Sequence, residues 1–295
     1  YIIYITIFII IYSFNESKEM VFTRPSLIWY RKLIFDSADL WRALLNSIIV
    51  AMTSAAVSTM LGTLASIGIN WYKFAGKKII QSLTYLPMVL PEVVIGMSTL
   101  IFFSAINIPL GFLSIIIAHI TFCLPFVFLL VLARLEEFDF SIVEAAHDLG
   151  ATERQTLFKV VIPAIFPAIL SGFFMSVTLS LEDFVITFFV AGPGSTTLPL
   201  YVYSMIRFGV SPVVNSLSCV IIAFTCTFAF LLRKALKGIA ACIKVKERNG
   251  AAVAKGPDSF YKIGKDEIEM KKLTIIFTTI FVALMTLFCI SCKKN

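Results

Sequence analysis

Long apolar runs alternate with short polar segments along most of the chain. Several runs reach the roughly 17–25 residues that a membrane helix needs. They are residues 41–70, 79–106, 110–133, 161–190 and 210–232. The shorter opening run, residues 1–14, is interpreted as part of a truncated first helix. Because the runs are continuous and do not alternate apolar with polar, they predict an all-α polytopic membrane protein with about six transmembrane helices and exclude a β-barrel.

Composition and charge support this class. Hydrophobic residues make up 59% of the chain and charged residues 15%, which a soluble domain of this length does not accommodate. The formal net charge is +7, but the basic residues concentrate in loops and the tail, so they indicate membrane topology and not nucleic-acid binding. Residues 71–78, 134–160 and those after 232 are predicted to face the cytoplasm. The basic loop at 15–40 disagrees with this topology.

The stretch EAAHDLGATERQTLFKVVIP, which starts at Glu144, is polar in an otherwise apolar chain. Ser141 and Glu144 fit a capping box at the start of a first short helix. Gly150 fits the left-handed position that ends that helix. Thr152 and Gln155 fit a second capping box. The pattern predicts a helix–glycine–helix elbow on the cytoplasmic side.

The first helix of this elbow has a small, alanine-rich apolar face. Its members are Ile142, Ala145, Ala146 and Leu149. Such a face suits close docking into a partner protein slightly better than it suits lying on the membrane surface. The second helix is expected to be limited by Pro163.

Ionisable side chains inside the predicted spans are the second unusual feature. They are Glu92, His119, Glu182 and Asp183. Charged residues in a membrane cost about 2.5–3.5 kcal/mol each on insertion scales, and they usually face a cavity or a pathway. Glu182 and Asp183 would point about 100° apart on one helix. We interpret the three acids as substrate-path candidates and His119 as a satisfied packing residue.

Two prolines precede Glu92 in the sequence. Pro87 and Pro91 predict a kink that frees backbone carbonyl groups. Carboxylates together with free carbonyls suit a multiply charged cation. The alternative is that some of these acids bond neighbouring helices or lie near an interface.

The end of the chain differs from the rest. Residues 270–295, MKKLTIIFTTIFVALMTLFCISCKKN, have the basic start, short apolar core and small residues of a secretory signal, with Cys292 as a lipidation candidate. A seventh membrane helix is the alternative, although the apolar core is short for one. The expected division is a membrane domain at 1–236, a basic linker at 237–269 and this lipoprotein-signal-like segment.

The elbow resembles the EAA signature of bacterial ABC importer permeases. The matching positions are Glu144, Ala145, Ala146, Gly150, Val160, Ile162 and Pro163. The resemblance implies that the elbow is a coupling helix seated in an ATP-hydrolysing subunit. In that role Glu144 caps the helix, while Ala145, Ala146 and Gly150 allow close approach.

Other stretches resemble the spermidine/putrescine permeases of that family, and the resemblance extends over most of residues 1–236. They are HITFCLPFV, FVAGPGSTTLPLYVYSM and GVSPVVNSL. The position matching Glu182 is more often Asp in those proteins. The resemblance implies a polyamine importer subunit in the bacterial inner membrane, surrounded by lipid. Its partners would be ABC ATPase subunits, a homologous second permease and an external substrate-binding protein.

Motifs for chemistry are not found in this sequence. The stretch AGKK at 75–78 lacks the first glycine and the hydroxyl residue of a nucleotide-binding P-loop, so ATP hydrolysis is expected from a separate subunit. With two histidines in the chain, we identify no hydrolase triad, and we predict no catalytic residue, cofactor or resident metal. The alternatives are an ABC permease for a metal ion or an amino acid, and an ion-coupled secondary carrier.

Overall fold

The computed structural model describes residues 2–17, 23–72, 74–207, 212–223 and 227, and every named element in these ranges is helical. The helices are α1 (Ile2–Ser13), α2 (Ile28–Phe35), α3 (Ala38–Trp71), α4 (Lys77–Val89), α5 (Glu92–Ala105), α6 (Phe112–Glu136), α7 (Ser141–Asp148), α8 (Glu153–Thr156), α9 (Ile162–Glu182), α10 (Val185–Val190), α11 (Leu198–Arg207) and α12 (Pro212–Ala223). The all-helical prediction is confirmed. The described residues divide into a central unit, Ala38–Ser204, and a terminal unit that combines the described parts of Tyr1–Ser37 and Met205–Asn295.

Helices α3, α6 and α9 form the core of the central unit, and glycines let them approach closely. A Cβ on Gly62 of α3 would lie 2.9 Å from the Val127 Cβ, and one on Gly172 of α9 would lie 3.1 Å from the Val127 Cγ1. The Ser66 hydroxyl donates to the Phe128 carbonyl across the same contact, at 2.8 Å. Small residues therefore seat α6 between α3 and α9.

Substituting Gly62 with alanine should destabilise this core. The new Cβ would also lie 3.2 Å from the Phe128 backbone nitrogen, which a side-chain rotation does not relieve. We expect a loss of about 1–3 kcal/mol, seen as a lower melting temperature of the detergent-purified protein. Gly68→Ala on the same helix is the matched control, because a Cβ there meets nothing within 4 Å. It should be neutral or stabilise by about 0.5–1 kcal/mol, and equal losses in both variants would contradict the packing explanation.

Three helical stretches among the described residues are long and apolar enough to cross a membrane: α3, α6 and the continuous stretch Glu153–Glu182. The α4–α5 pair, bent by 109°, makes a fourth if it is one span. The predicted spans at 41–70 and 110–133 are confirmed by α3 and α6. The predicted span at 210–232 is described only in part, by α12.

The predicted span at 79–106 is broken, and the break lies later than the first proline. Helix α4 passes through Pro87 and ends at Val89, while Pro91 precedes the first residue of α5. Leu90 between the helices is extended, with φ −75° and ψ 140°. A residue before proline is pushed out of the helical region, which explains why the 109° bend falls at Leu90.

The prediction of one helix over 161–190 is wrong. The helix ends at Glu182, Asp183 is extended with φ −63° and ψ 125°, and α10 is a separate short helix. At the other end a π-helical turn, Leu157–Val161, joins the elbow to α9, so Pro163 does not stop the second elbow helix. The central unit therefore contains two helix breaks, one between α4 and α5 and one between α9 and α10.

The terminal unit contains α1, α2 and α12. The predicted loop at 15–40 includes helix α2, whose Trp29 indole donates to the Asn15 carbonyl at 2.7 Å. The Ser13 and Tyr30 hydroxyls lie 2.7 Å apart, which ties α1 to α2. The predicted linker at 237–269 and the segment at 270–295, with Cys292, lie outside the described residues.

Candidate functional site

The elbow has the glycine geometry that its sequence predicts. Gly150 has φ +84°, in the left-handed region. Its N–H donates to the His147 carbonyl at 2.8 Å, and the Ala151 N–H donates to the Ala146 carbonyl at 3.0 Å. This pair of bonds is a Schellman motif, which satisfies carbonyls at the end of a helix. Gly150 therefore sets the angle between the two helices of the elbow.

One of the two predicted capping boxes is confirmed and the other is wrong. The Thr152 N–H donates to the Gln155 side chain at 3.0 Å, and the Gln155 N–H donates to the Thr152 hydroxyl at 3.4 Å. At the first helix, however, the Asp139 carboxylate accepts the Ser141 N–H at 3.0 Å. Ser141 is consequently the first helical residue and not the cap, and Glu144 lies within the first turn.

The elbow is anchored to the core through a few apolar side chains. Val143, 7% exposed, packs in one cluster with Val161 and Ile165. The Phe140 and Trp71 rings meet edge to face, with centroids 6.0 Å apart, which connects the start of the elbow to the end of α3. These contacts connect the elbow to α3 and α9.

The opposite side of the elbow exposes apolar residues. Leu149 is 90% exposed and Phe158 is 66% exposed, and Ile142 and Ala145 are also exposed. The predicted face is thus exposed, apart from Ala146, which is half-buried. Exposed apolar residues on a charged segment are typical of a surface that contacts a partner protein or the membrane.

The helices that follow the two breaks, α5 and α10, pack against each other. A Cβ on Gly96 of α5 would lie 2.7 Å from the Phe189 ring and 3.3 Å from the Ile186 Cα. The absence of a side chain at Gly96 therefore permits the contact. It places the start of α5, which carries Glu92, close to the junction between α9 and α10.

Three carboxylates, Glu92, Glu182 and Asp183, gather at this junction and are called the acidic cluster. Glu92 lies one turn before Gly96, which packs on Ile186 at the start of α10, and Glu182 and Asp183 lie just before that helix. Glu92 is exposed in the first turn of α5, Glu182 is half-buried at the last residue of α9, and Asp183 is 6% exposed. The structure thus brings together the three predicted path acids, in three different environments.

Both carboxylate oxygens of Asp183 accept hydrogen bonds at the break between α9 and α10. Its Oδ1 accepts the Ile186 N–H at 3.1 Å, and its Oδ2 accepts the Thr187 N–H at 2.9 Å and the Thr187 hydroxyl at 2.8 Å. The His119 Nε2 lies 3.1 Å from the same Oδ2. The expectation that Glu182 and Asp183 project from one helix is wrong, because Asp183 instead caps the start of α10.

His119 is buried and bonded through both ring nitrogens, as predicted for a packing residue. Sequence reasoning missed its partners, Ser180 and Thr187, whose hydroxyls lie 2.6 Å and 3.0 Å from the ring nitrogens. Their signal is the pairing of hydroxyl residues three before and four after Asp183. Ionisable residues inside membrane spans are usually paired with other polar groups in this way.

The comparisons with known proteins bear on both sites. The family model described as binding-protein-dependent transport system inner membrane component matches residues 58–236, more than half of the chain. The chain belongs to this family. It is an integral membrane permease component, and the acidic cluster and the elbow lie inside the matched region. The resemblance drawn from the EAA signature is confirmed.

The permease is similar to two curated relatives from Escherichia coli (strain K12). It is 37% identical to the spermidine/putrescine transport system permease protein PotC, over 74% of this chain and 83% of PotC. It is 40% identical to the putrescine transport system permease protein PotI, over 72% of this chain and 79% of PotI. These relatives confirm the resemblance to polyamine permeases.

A solved structure shows the same fold. It is the crystal structure of a bacterial ABC transporter involved in the import of the acidic polysaccharide alginate, matched with a TM-score of 0.65 at 17% identity. The match covers 79% of this chain and 90% of the other. At this identity the comparison supports the fold of an ABC transporter permease and not the cargo.

Proposed function

We propose that this permease is the transmembrane subunit of an ATP-driven importer for polyamines such as spermidine and putrescine in the bacterial inner membrane. The observation that carries the cargo assignment is the placement of Glu92 and Glu182 at two helix breaks that the packing of α5 on α10 brings together. The similarity of this chain to permeases named for these polyamines supports the same cargo.

The physical case rests on charge and on helix ends. Broken helices near a membrane path present half-helix termini to the substrate, and a C-terminal end carries partial negative charge. Glu182 adds a carboxylate at the C-terminal end of α9, and Glu92 supplies a second, exposed carboxylate. Polyamines carry several ammonium groups along a flexible chain. Two separate carboxylates beside a helix end therefore match a di- or trication better than a single anionic site.

The elbow supplies the link to ATP in this proposal. Separate ATPase subunits bind its exposed face, and their closure displaces the elbow and, through Val143 and Phe140, helices α3 and α9. A homologous second permease completes the path, and an external binding protein delivers the polyamine. Glu144, Ala145, Ala146 and Gly150 are assigned to this coupling surface.

Leu149→Glu should prevent stable association with the ATPase. Leu149 is 90% exposed, so a charge there does not disturb the core, but it would be buried without a partner in a docked groove. We expect the co-purified ATPase to fall by about tenfold, measured as the ratio of the two subunits after affinity capture of the permease. Leu149→Met conserves apolar volume and should retain the ATPase. Retention by Leu149→Glu would contradict docking through this face.

The proposed function is tested by reconstituting the permease with the other subunits of its own transport system. Labelled spermidine and putrescine should enter the vesicles only when the ATPase is active. Uptake that persists with an inactivated ATPase would favour an ion-coupled carrier. ATP-dependent uptake of a metal ion or an amino acid, without polyamine uptake, would assign another cargo.

A further inference from the structure

The break between α9 and α10 depends on one buried carboxylate. The N–H groups of Ile186 and Thr187, in the first turn of α10, donate to the Asp183 carboxylate instead of to backbone carbonyls. Helix α9 ends one residue earlier, at Glu182. A carboxylate that accepts several N–H and O–H bonds is a strong cap for a helix start. The conformation of the break, and with it the position of Glu182, is therefore tied to where the Asp183 carboxylate is held.

His119 holds that carboxylate from another helix. The imidazole, 1% exposed on α6, has its Nε2 3.1 Å from the Asp183 Oδ2. Because a carboxylate only accepts hydrogen bonds, Nε2 carries the proton of this contact. The Nδ1 lies 2.6 Å from the Ser180 hydroxyl, which in turn accepts from the Ser54 hydroxyl of α3 at 3.2 Å.

This chain of contacts is fully buried and spans three helices. It links Ser54 of α3 through Ser180 of α9 and His119 of α6 to Asp183 at the break. Packing alone does not require such an arrangement, since an apolar side chain would fill the same volume without polar atoms to satisfy. The arrangement instead fixes the rotamer of His119 at one end and the position of Asp183 at the other.

We propose that His119 is a positioning residue for transport: it holds Asp183 as the cap of α10 and thereby sets Glu182 at the end of α9, beside Glu92. The inference rests on the proposed function only in so far as Glu182 contacts the polyamine. The geometric part, that His119 controls the break, stands independently of the cargo. His119, Ser180 and Asp183 are called the break latch.

The latch is tested by the accessibility of position 182. Glu182→Cys is introduced into the full-length permease with its native cysteines replaced, assembled with its partner subunits, and modified with a small cationic thiol reagent. We expect His119→Leu to change the modification rate of the introduced thiol by about tenfold. A change of this size corresponds to the loss of one charge-assisted hydrogen bond. His119→Gln keeps an amide donor near the Nε2 position and should restore the rate to near that of the parent.

A milder pair of variants keeps the test independent of any folding defect in His119→Leu. Ser180→Ala removes the hydroxyl that holds His119 Nδ1, and it should change the rate in the same direction. Ser176→Ala is the matched control, because Ser176 is an equally buried serine one turn earlier on α9 whose hydroxyl faces Ser58 and not the latch. It should leave the rate unchanged.

The outcomes separate this inference from the proposed function. A changed rate in His119→Leu and Ser180→Ala, with rescue by His119→Gln, supports the latch even if labelled polyamine is not the cargo. Unchanged rates in both variants, or equal changes in Ser176→Ala, would overturn it. Polyamine uptake that ignores Glu92→Gln and Glu182→Gln, with a changed labelling rate, would overturn the acidic path and leave the latch standing.

Discussion

Gly150→Val is expected to uncouple ATP hydrolysis from transport, with uptake lowered by about tenfold while hydrolysis continues. The residue has φ +84°, where a side chain with a branched Cβ is strained by about 1–2 kcal/mol. A strain of this size changes the population of the native elbow by about 5–30-fold. The measurement is initial polyamine uptake and ATP hydrolysis in the same reconstituted vesicles, each with and without the binding protein.

The structure allows this effect to be separated from misfolding. A Cβ at Gly150 meets nothing within 4 Å, so valine adds backbone strain without a packing clash. Gly150→Asn is the matched control, since asparagine tolerates the left-handed region and should keep most of the coupling. Equal loss of uptake in Gly150→Val and Gly150→Asn would show that the conformation of the elbow is not what transmits the signal.

The parts of this fold that depend on local sequence could be predicted. Apolar runs of sufficient length identified α3 and α6, because each run lies in one unbroken helix. Gly150 and the Thr152–Gln155 cap were also predictable, since a turn or cap is decided within a few residues. The Ser141 capping box was mispredicted because the carboxylate of Asp139 accepts the Ser141 N–H. In the predicted box the Glu144 side chain would accept that N–H.

The helix breaks were harder to predict because hydropathy does not report the path of the backbone. Apolar residues continue through Leu90 and through the residues after Asp183, so both segments read as single spans. Pro91 gave a signal for the first break. The second depends on Asp183 and His119, which are 64 residues apart in the chain, and no local pattern in one sequence reports such a pairing.

The same long-range contacts change how the acidic cluster should be probed. Asp183→Asn would disturb the cap of α10 as well as remove a charge, so a loss of uptake in that variant does not identify a path residue. Glu92 and Glu182 are the better probes. Glu92 is exposed and Glu182 is half-buried, and each can lose its charge with little change of shape.

The double variant Glu92→Gln and Glu182→Gln should lower kcat/KM for spermidine by at least about 100-fold, the sum of two such losses. Hydrogen bonds to charged groups contribute about 1.5–3 kcal/mol each, and the glutamine amides keep the shape while removing the charge. Initial rates of labelled spermidine and putrescine uptake in proteoliposomes, with saturating ATP and the binding protein present, give the measurement. The loss should be larger for spermidine, which carries the additional ammonium group.

Two further variants make the result specific to charge in the path. Glu137→Gln carries the same chemical change on an exposed residue bonded to Arg134, away from the acidic cluster, and should leave uptake unchanged. Glu182→Asp retains the carboxylate and should recover most of the activity lost in Glu182→Gln. If uptake of both polyamines is unchanged in the double variant, Glu92 and Glu182 do not form the cation path. If Glu182→Asp is as defective as Glu182→Gln, side-chain length and not charge governs this position.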